Sequence, residues 1–350
     1  MQPNFLLFIT DQQRADHLGS YGNPIVHTPE LDALARRGWS ADRFYVASPI
    51  CMPNRATLMT GRMPSVHGVR HNGIPLSQRA TTFVDRLRLA GYATALIGKG
   101  HLQNMTGKGP VWPPAGSDPS QGEAWTAEPG NYDQEWGPLW RNDPTHDLQT
   151  PFYGFQRVDL AVDHGDQVWG HYERWLARTH PEVRRQWGPE HALPAPGFVL
   201  TEHHQAWRTR VPEECSTTAY LGDQTIRQLR EHAAGKQPFF IQCSFPDPHH
   251  PFTPHGKYWS MYRPEDVALP HSFHASAAPD HRPAPHVAWL YWQRDQRKAV
   301  KHTPAIFACT EREAREAIAL NYGSISHIDA TIGRVLQTLR QTGLDLSLIH

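Results

Sequence analysis

The stretch ASPICMPNRATLMTGR, residues 47–62, places a cysteine two positions before a proline and four before an arginine. The thiol of Cys51 is a good nucleophile once it is ionised, and its surroundings decide how readily that happens. A free cysteine is also one of the most buried residue types, so packing in the core is its ordinary explanation. The positions of the other reactive residues indicate which of these two roles Cys51 has.

Several polar residues follow short apolar runs. Asp11 and Gln12 follow NFLLFI, Lys99 and His101 lie in IGKGH, and the cluster FPDPHHPF (245–252) ends a third run. Each alone is weak evidence, because an acid after a strand is often a helix cap and a lysine is usually a surface residue. Their shared position is more informative, since open α/β sheets place their sites at the carboxyl ends of strands.

The segments that must position these residues alternate between strand and helix. TPELDALARRG (28–38) predicts a helix, with Thr28 as its cap and Pro29 at its first position. This alternation favours an α/β fold with a mainly parallel sheet and helices on both faces. The patterns also predict strands at 4–9, 93–100 and 238–245, and helices at 54–61, 81–92, 216–235 and 310–343.

Two irregular segments interrupt the alternation, at about residues 103–215 and 262–305. Long loops in a compact protein tend to be functional, so we predict insertions that wall a pocket, with a flexible surface excursion as the alternative. Tryptophans in the first segment would stack on sugar or aryl groups, or simply pack the insertion. We expect residues 1–350 to form one catalytic domain that carries both insertions.

The composition limits the partners of the chain. With 34 Lys and Arg against 34 Asp and Glu, the formal net charge is zero, which argues against nucleic acid or an anionic membrane as a partner. The start of the chain lacks the features of a signal peptide, and no apolar run approaches the length of a membrane span. We therefore expect a cytoplasmic protein. The four cysteines form no C-x-x-C pair, and the sequence leaves the oligomeric state open.

Taken together, these residues resemble the sulfatase family of the alkaline-phosphatase superfamily. The resemblance covers residues 1–101, 238–254 and 322–344, and it implies an alkaline-phosphatase-like fold. In that family the pattern C-x-P-x-R, here Cys51 to Arg55, directs a formylglycine-generating enzyme to oxidise the cysteine to formylglycine. The continuation ATLMTGRMPSVHGV and the upstream TPELDALARRG match as well. The composite signature is highly specific.

The resemblance also implies a divalent-metal site. Asp11, Gln12 and the modified Cys51 would be metal ligands, because hard oxygen donors suit Ca²⁺, or alternatively Mg²⁺ or Mn²⁺. Gln12 stands where many members carry a second aspartate. Its neutral amide lowers the charge of the site.

Catalytic roles follow from the same resemblance. Arg55 would orient the formylglycine hydrate, while Lys99 and His101 match a G-K-x-H pair that contacts the sulfate oxygens and the hydrate. His249, rather than His250, matches the H-x-P histidine that would donate a proton to the leaving group. One hydroxyl of the hydrate attacks sulfur, and the other, once deprotonated, collapses to the aldehyde and expels sulfate.

These matches predict a metal-dependent sulfuric ester hydrolase that acts on a small-molecule or saccharide sulfate ester. An alternative is a phosphonate monoester or phosphodiester hydrolase of the same superfamily. Lys99 and His101 favour sulfate, whereas Gln12 and Asn72, a pocket asparagine in some members, favour the alternative. A non-catalytic binding module is a third hypothesis. The particular ester stays open.

The family completes its metal site with an Asp followed by Asn or His, on a strand after the helix that matches 322–344. Here LDLSLIH begins what resembles that strand and stops at His350, which lacks the preceding Asp. We therefore expect the sequence to be truncated at its C-terminus, and the fragment to be inactive on its own.

Overall fold

A five-stranded sheet forms the centre of the computed structural model, which describes residues 2–106, 129–203, 205–277, 282–296 and 309–347. The strand order is β1-β5-β2-β3-β4. The first four strands in that order pair in parallel, and β4 pairs antiparallel to β3. The strands are β1 (Phe5–Ile9), β2 (Ala93–Gly98), β3 (Arg157–Val162), β4 (Trp169–Gly170) and β5 (Phe239–Ser244).

Helices connect and cover the strands, which confirms the predicted α/β class with a mainly parallel sheet. Parallel neighbours need such crossover connections, because each strand must return to the same end of the sheet. The α-helices of the described residues are α1 (Pro29–Arg37), α2 (Cys51–Thr60), α3 (Pro64–His67), α4 (Phe83–Leu89), α5 (Gly137–Asn142), α6 (His171–Thr179), α7 (Pro181–Arg184), α8 (Thr217–Ala233), α9 (Pro285–Asp295) and α10 (Glu311–Thr342).

The two faces of the sheet carry separate hydrophobic clusters. Ile97 and Ile241 point to the side covered by α6, α8 and α10. Leu96 and Phe240, one residue earlier in each strand, point to the side covered by α2 and α4. All six residues of β5 are buried, as a central strand requires. Helices on both faces therefore hold the sheet rigid beneath its carboxyl edge.

The segment 103–215, predicted as irregular, contributes part of this sheet. Its residues 157–162 form β3, and 169–170 form β4. Arg157 and Asp159 interrupt the apolar pattern of β3, which is fully buried only from Leu160 onward. The boundaries proposed for the two insertions stay a prediction, and the stretches 107–128, 278–281 and 297–308 lie outside the described residues.

The long helix predicted over 310–343 is confirmed as α10, and it begins at a capping box formed by Thr310 and Glu313. The strand predicted after it is wrong. Gly343 ends the helix in the left-handed region, and residues 344–347 form a 3₁₀ turn. Residues 348–350 lie outside the described part of the chain.

The cap predicted for α1 is also wrong in its chemistry. The Thr28 side chain donates to Asp32 Oδ1 at 3.0 Å and does not cap the first-turn amides. Those amides donate to Asp329 of α10 instead, at 3.3 Å from Glu30 N and 2.8 Å from Leu31 N. Sequence patterns near α1 carry no sign of a cap supplied by α10.

No helix within the described ranges has both the length and the apolar character needed to cross a membrane. The cytoplasmic location stays a prediction.

Candidate active site

Reactive side chains converge where the parallel strands end. Asp11 follows β1, Lys99 follows β2, His164 follows β3 and His249 follows β5. Cys51 is the first residue of α2, which packs against the same edge. The topology thus brings together residues as far apart in the sequence as Asp11 and His249, as expected at the carboxyl edge of an open sheet.

Cys51 lies beside a carboxylate. Its Sγ is 3.8 Å from Asp11 Oδ1. Burial raises the pKa of the Cys51 thiol, and the charge of Asp11 adds to this, although Lys99 and Arg55 oppose it. The thiolate is therefore scarce near neutral pH, and the unmodified thiol is a poor nucleophile here.

Arg55 lies one helical turn after Cys51 and is 6% exposed. Its Nη1 donates to the Lys99 carbonyl oxygen and to Ser244 Oγ, both at 2.9 Å. Its Nη2 is 3.7 Å from Asp11 Oδ2. The guanidinium therefore ties α2 to the ends of β2 and β5 and brings a fixed positive charge to the site.

Lys99 is fully buried and pairs with Asp11. Its Nζ is also 2.6 Å from His164 Nε2. An ammonium can only donate, so the His164 Nε2 accepts and its Nδ1 carries the proton, facing Asp163 Oδ1 at 3.5 Å. Burial opposes ionisation of Asp11, but the charges of Lys99 and Arg55 hold its pKa well below the ordinary value.

Three imidazoles stack at the mouth of the site. The His164 and His249 ring centroids are 3.7 Å apart, and those of His249 and His250 are 4.3 Å apart. His249 Nδ1 contacts the His250 carbonyl oxygen, which can only accept, so Nδ1 is the protonated nitrogen. Burial, aided by the charge of Lys99, lowers the pKa of His249 to about 2. The ring is neutral in the free protein, with Nε2 as an acceptor.

The buried His101 completes the inner wall. It is 2% exposed, and within the described structure neither ring nitrogen has a hydrogen-bond partner. Burial and the charges of Lys99 and Arg55 hold the pKa of His101 well below its ordinary value. A neutral imidazole with open polar atoms is suited to contact an anion that enters the site.

Two predicted site residues lie at the edge of this group. Gln12 is exposed, and its Oε1 is 2.9 Å from His250 Nδ1. Asn72 is also exposed, and its Oδ1 accepts from the backbone N–H of Met52 at 3.0 Å, in the first turn of α2. Asn72 therefore supports the helix that carries Cys51. The metal role predicted for Gln12 and the substrate role predicted for Asn72 stay predictions.

The sequence patterns did not single out His164. Its signal was present, because the apolar run LAV directly precedes Asp163 and His164. The pattern did not predict a strand here, because the charged residues in the first half of β3 interrupt its apolar run. Once β3 is placed beside β2, a polar pair at its carboxyl end belongs to the site by the same argument that selected Asp11 and Lys99.

A metal ion would need more ligands than these residues supply. Asp11 suits a hard cation. Within the described residues, however, no set of three or more His, Cys, Asp and Glu side chains is placed to hold one. The Asp11 carboxylate is paired with Lys99 and Arg55, and Gln12 with His250. The described residues therefore do not form a complete metal site.

The architecture is that of the alkaline-phosphatase-like α/β proteins. The two buried cations, Lys99 and Arg55, suit an anionic substrate. The sequence profile of the Sulfatase family matches residues 3–349. The chain belongs to the sulfatase family.

Individual relatives extend this finding. The arylsulfatase of Clostridium perfringens is 27% identical over 354 residues, which cover 98% of this chain and 60% of that protein. The multifunctional alkaline phosphatase superfamily protein PehA of Trinickia caryophylli is 28% identical over 353 residues, covering 97% and 60%. The crystal structure of the phosphonate monoester hydrolase of Agrobacterium radiobacter superposes with a TM-score of 0.69 at 27% identity, covering 99% and 61%. The chain spans about three fifths of these relatives.

Proposed function

We propose that the chain is the nucleophile-bearing part of a sulfuric ester hydrolase, in which Cys51 is converted to formylglycine by a formylglycine-generating enzyme. The observation that carries the proposal is the position of Cys51, at the start of α2 and 3.8 Å from Asp11, with Lys99 and Arg55 buried beside it. An aldehyde hydrate at this position would supply a hydroxyl nucleophile and a route to release the bound sulfate. The raised pKa of the thiol supports the need for such a replacement.

The surrounding side chains have separate tasks. Lys99 and Arg55 would bind the oxygens of the sulfate group, since both are buried and charged. His101 would contact the same oxygens or the hydrate from the inner wall.

His249 would give a proton to the departing oxygen. In the free protein its Nε2 can only accept, because Nδ1 is bound to a carbonyl oxygen. The ring must therefore be protonated first, and a bound sulfate ester would favour this by adding a negative charge nearby. His164 stacks on His249 and accepts from Lys99, so it would hold both groups in position.

The proposal includes one divalent metal ion, calcium or alternatively magnesium or manganese. Asp11, Gln12 and the modified Cys51 would be the ligands from this chain, with others that the described residues do not supply. Candidate substrates are small-molecule and saccharide sulfate esters.

Mass spectrometry of the peptide that contains Cys51 tests the nucleophile. The full-length protein is co-expressed with a formylglycine-generating enzyme, and Cys51→Ala serves as the control. We expect formylglycine at position 51 and hydrolysis of an aryl sulfate that the control lacks. An unmodified thiol, or equal activity of the control, would contradict the proposal.

A phosphonate monoester hydrolase is the second candidate. Its support is the superposition on the Agrobacterium radiobacter enzyme and the neutral Gln12 beside Asp11. The ratio of kcat/KM for an aryl sulfate and an aryl phosphonate discriminates the two. A large preference for the phosphonate would reverse the assignment.

A further inference from the structure

We propose that Glu135 is a positioning residue for His101. Glu135 holds the segment after β2 in the conformation that aims the imidazole of His101. This inference rests on the proposed function, because it assigns a task to Glu135 through His101. Glu135 lies in the predicted insertion, at the end of the stretch NYDQE, and had no role in the sequence analysis.

The carboxylate of Glu135 accepts three consecutive backbone N–H groups. Its Oε1 is 2.5 Å from His101 N, and its Oε2 is 2.7 Å from both Leu102 N and Gln103 N. Glu135 is 1% exposed and His101 2%. Buried charge-assisted hydrogen bonds are among the strongest that a side chain makes.

The backbone of His101 explains why such support is needed. Its φ is 54°, in the left-handed region that a residue with a side chain rarely adopts. Such a conformation persists only where the surrounding structure holds it. Successive N–H groups that converge on one anion provide this hold, so the Glu135 carboxylate stabilises the turn that aims the imidazole of His101.

Gly100 leaves the space that the Glu135 carboxylate occupies. A Cβ at position 100 would lie 2.5 Å from Glu135 Oε1, closer than any ordinary contact. Only glycine therefore admits the carboxylate to this position. Gly100, between Lys99 and His101, therefore permits the close approach of Glu135 to the backbone.

Neighbouring contacts fix Glu135 itself. Gln103 Oε1 accepts from the Gln134 N–H at 3.0 Å, and Gln103 Nε2 donates to the Asn131 carbonyl oxygen at 3.1 Å. Farther along, Gly137 N donates to the Met105 carbonyl oxygen at 3.2 Å. Residues 131–137 and 101–105 thus form one connected unit, in which Glu135 has little freedom to move.

Burial raises the pKa of Glu135 to about 6, although its three N–H partners oppose the change. The carboxylate is therefore ionised at neutral pH. An amide of the same shape would offer one oxygen in place of two and would turn an NH₂ group toward a backbone N–H.

The test compares Glu135→Gln with the matched surface control Glu231→Gln, in the full-length protein co-expressed with a formylglycine-generating enzyme. Kinetics use the aryl sulfate or aryl phosphonate that the wild type hydrolyses. We expect E135Q to lower kcat/KM by about 10- to 100-fold, as displaced catalytic groups do, and E231Q to leave it unchanged. In a His101→Ala background, E135Q should lower kcat/KM by less than about a further 3-fold, because both changes remove the same contribution.

Hydrogen exchange supplies a readout that needs no activity. E135Q should speed exchange of the amides of residues 101–103 by at least about tenfold and leave those of β5 unchanged. Unchanged exchange, kcat/KM equal to that of the wild type, or a full additional loss in the His101→Ala background would each overturn the inference. If E135Q does not fold, Glu135→Asp is the second variant, with an intermediate loss expected. A wild type that hydrolyses neither ester refutes the proposed function, while exchange still decides the role of Glu135.

Discussion

The imidazole of His164 lies face to face with that of His249, with planes 14° apart and centroids at 3.7 Å. The same His164 ring accepts a hydrogen bond from Lys99 at 2.6 Å. One side chain therefore connects the group that would bind the sulfate to the group that would protonate the leaving oxygen. Neither partner can shift without disturbing the other.

His164→Ala should lower kcat/KM by about 10- to 100-fold, because Lys99 and His249 both lose their lateral support. His164→Asn should recover part of the loss, since its amide oxygen can still accept from Lys99. The surface variant His180→Ala is the control. Steady-state kinetics decide the matter, and equal losses for the Ala and Asn variants would argue against the hydrogen-bonding role.

Asp11→Asn should destabilise the protein by several kcal/mol, because Lys99 and Arg55 then lie buried without a counter-charge. Inorganic sulfate should restore more of the melting temperature in the variant than in the wild type, since an anion can replace the missing carboxylate. Melting curves in sulfate, with chloride at equal ionic strength as the control, measure this difference. Equal sulfate shifts in both proteins would show that Asp11 is not the counter-charge of Lys99 and Arg55.

Asp329→Ala should lower the free energy of unfolding by about 1 kcal/mol, the usual cost of a lost helix cap. Asp329→Asn keeps an oxygen that can accept from Leu31 N, so its loss should be smaller. Chemical denaturation compares the two variants. If the alanine variant is as stable as the wild type, α1 does not depend on this cap.

His255 provides a pH-dependent contribution to stability. It is 2% exposed, both ring nitrogens lack partners in the described structure, and burial lowers its pKa from 6.5 to about 4. The unfolded chain therefore takes up a proton before the folded one. The free energy of unfolding therefore has its full value above pH 6.5 and decreases as the pH falls toward 4. At pH 5 the decrease is about 2 kcal/mol.

His255→Phe removes this proton binding and fills a similar space. The fall in melting temperature between pH 7.5 and pH 5 should therefore be smaller in the variant than in the wild type. The buried His327, 6.1 Å away between ring centroids, keeps its own contribution in both proteins. Parallel curves of melting temperature against pH would show that His255 does not titrate on unfolding.

Much of the fold follows from local patterns. The strands β1, β2 and β5 are short apolar runs, and α10 has a capping box and a closing glycine, so each lies within about two residues of its predicted bounds. The cap on α1 could not be predicted, because Asp329 lies 298 positions from Leu31. Such a contact depends on how α10 packs, which no local window contains.

Some residues of the candidate site could be predicted from local patterns, and others could not. Asp11, Lys99 and His249 are predictable from their positions at strand ends, and Cys51 and Arg55 from their motif. His164 was missed because Arg157 and Asp159 conceal its strand. Glu135 acts through backbone N–H groups, whose direction depends on the left-handed turn at His101. Sequence patterns carry no record of that turn.

The packing of α10 also bears on the order of events during synthesis. Its Asn321 bonds to His17, 304 positions earlier, and donates to the Pro248 carbonyl oxygen beside His249. At about 5–20 residues per second, a ribosome needs roughly 15–60 s to make the chain between these partners. During that interval the segment around His17 lacks the contact that α10 later supplies. The packing around His17 and Pro248 is therefore completed only after α10 has been synthesised.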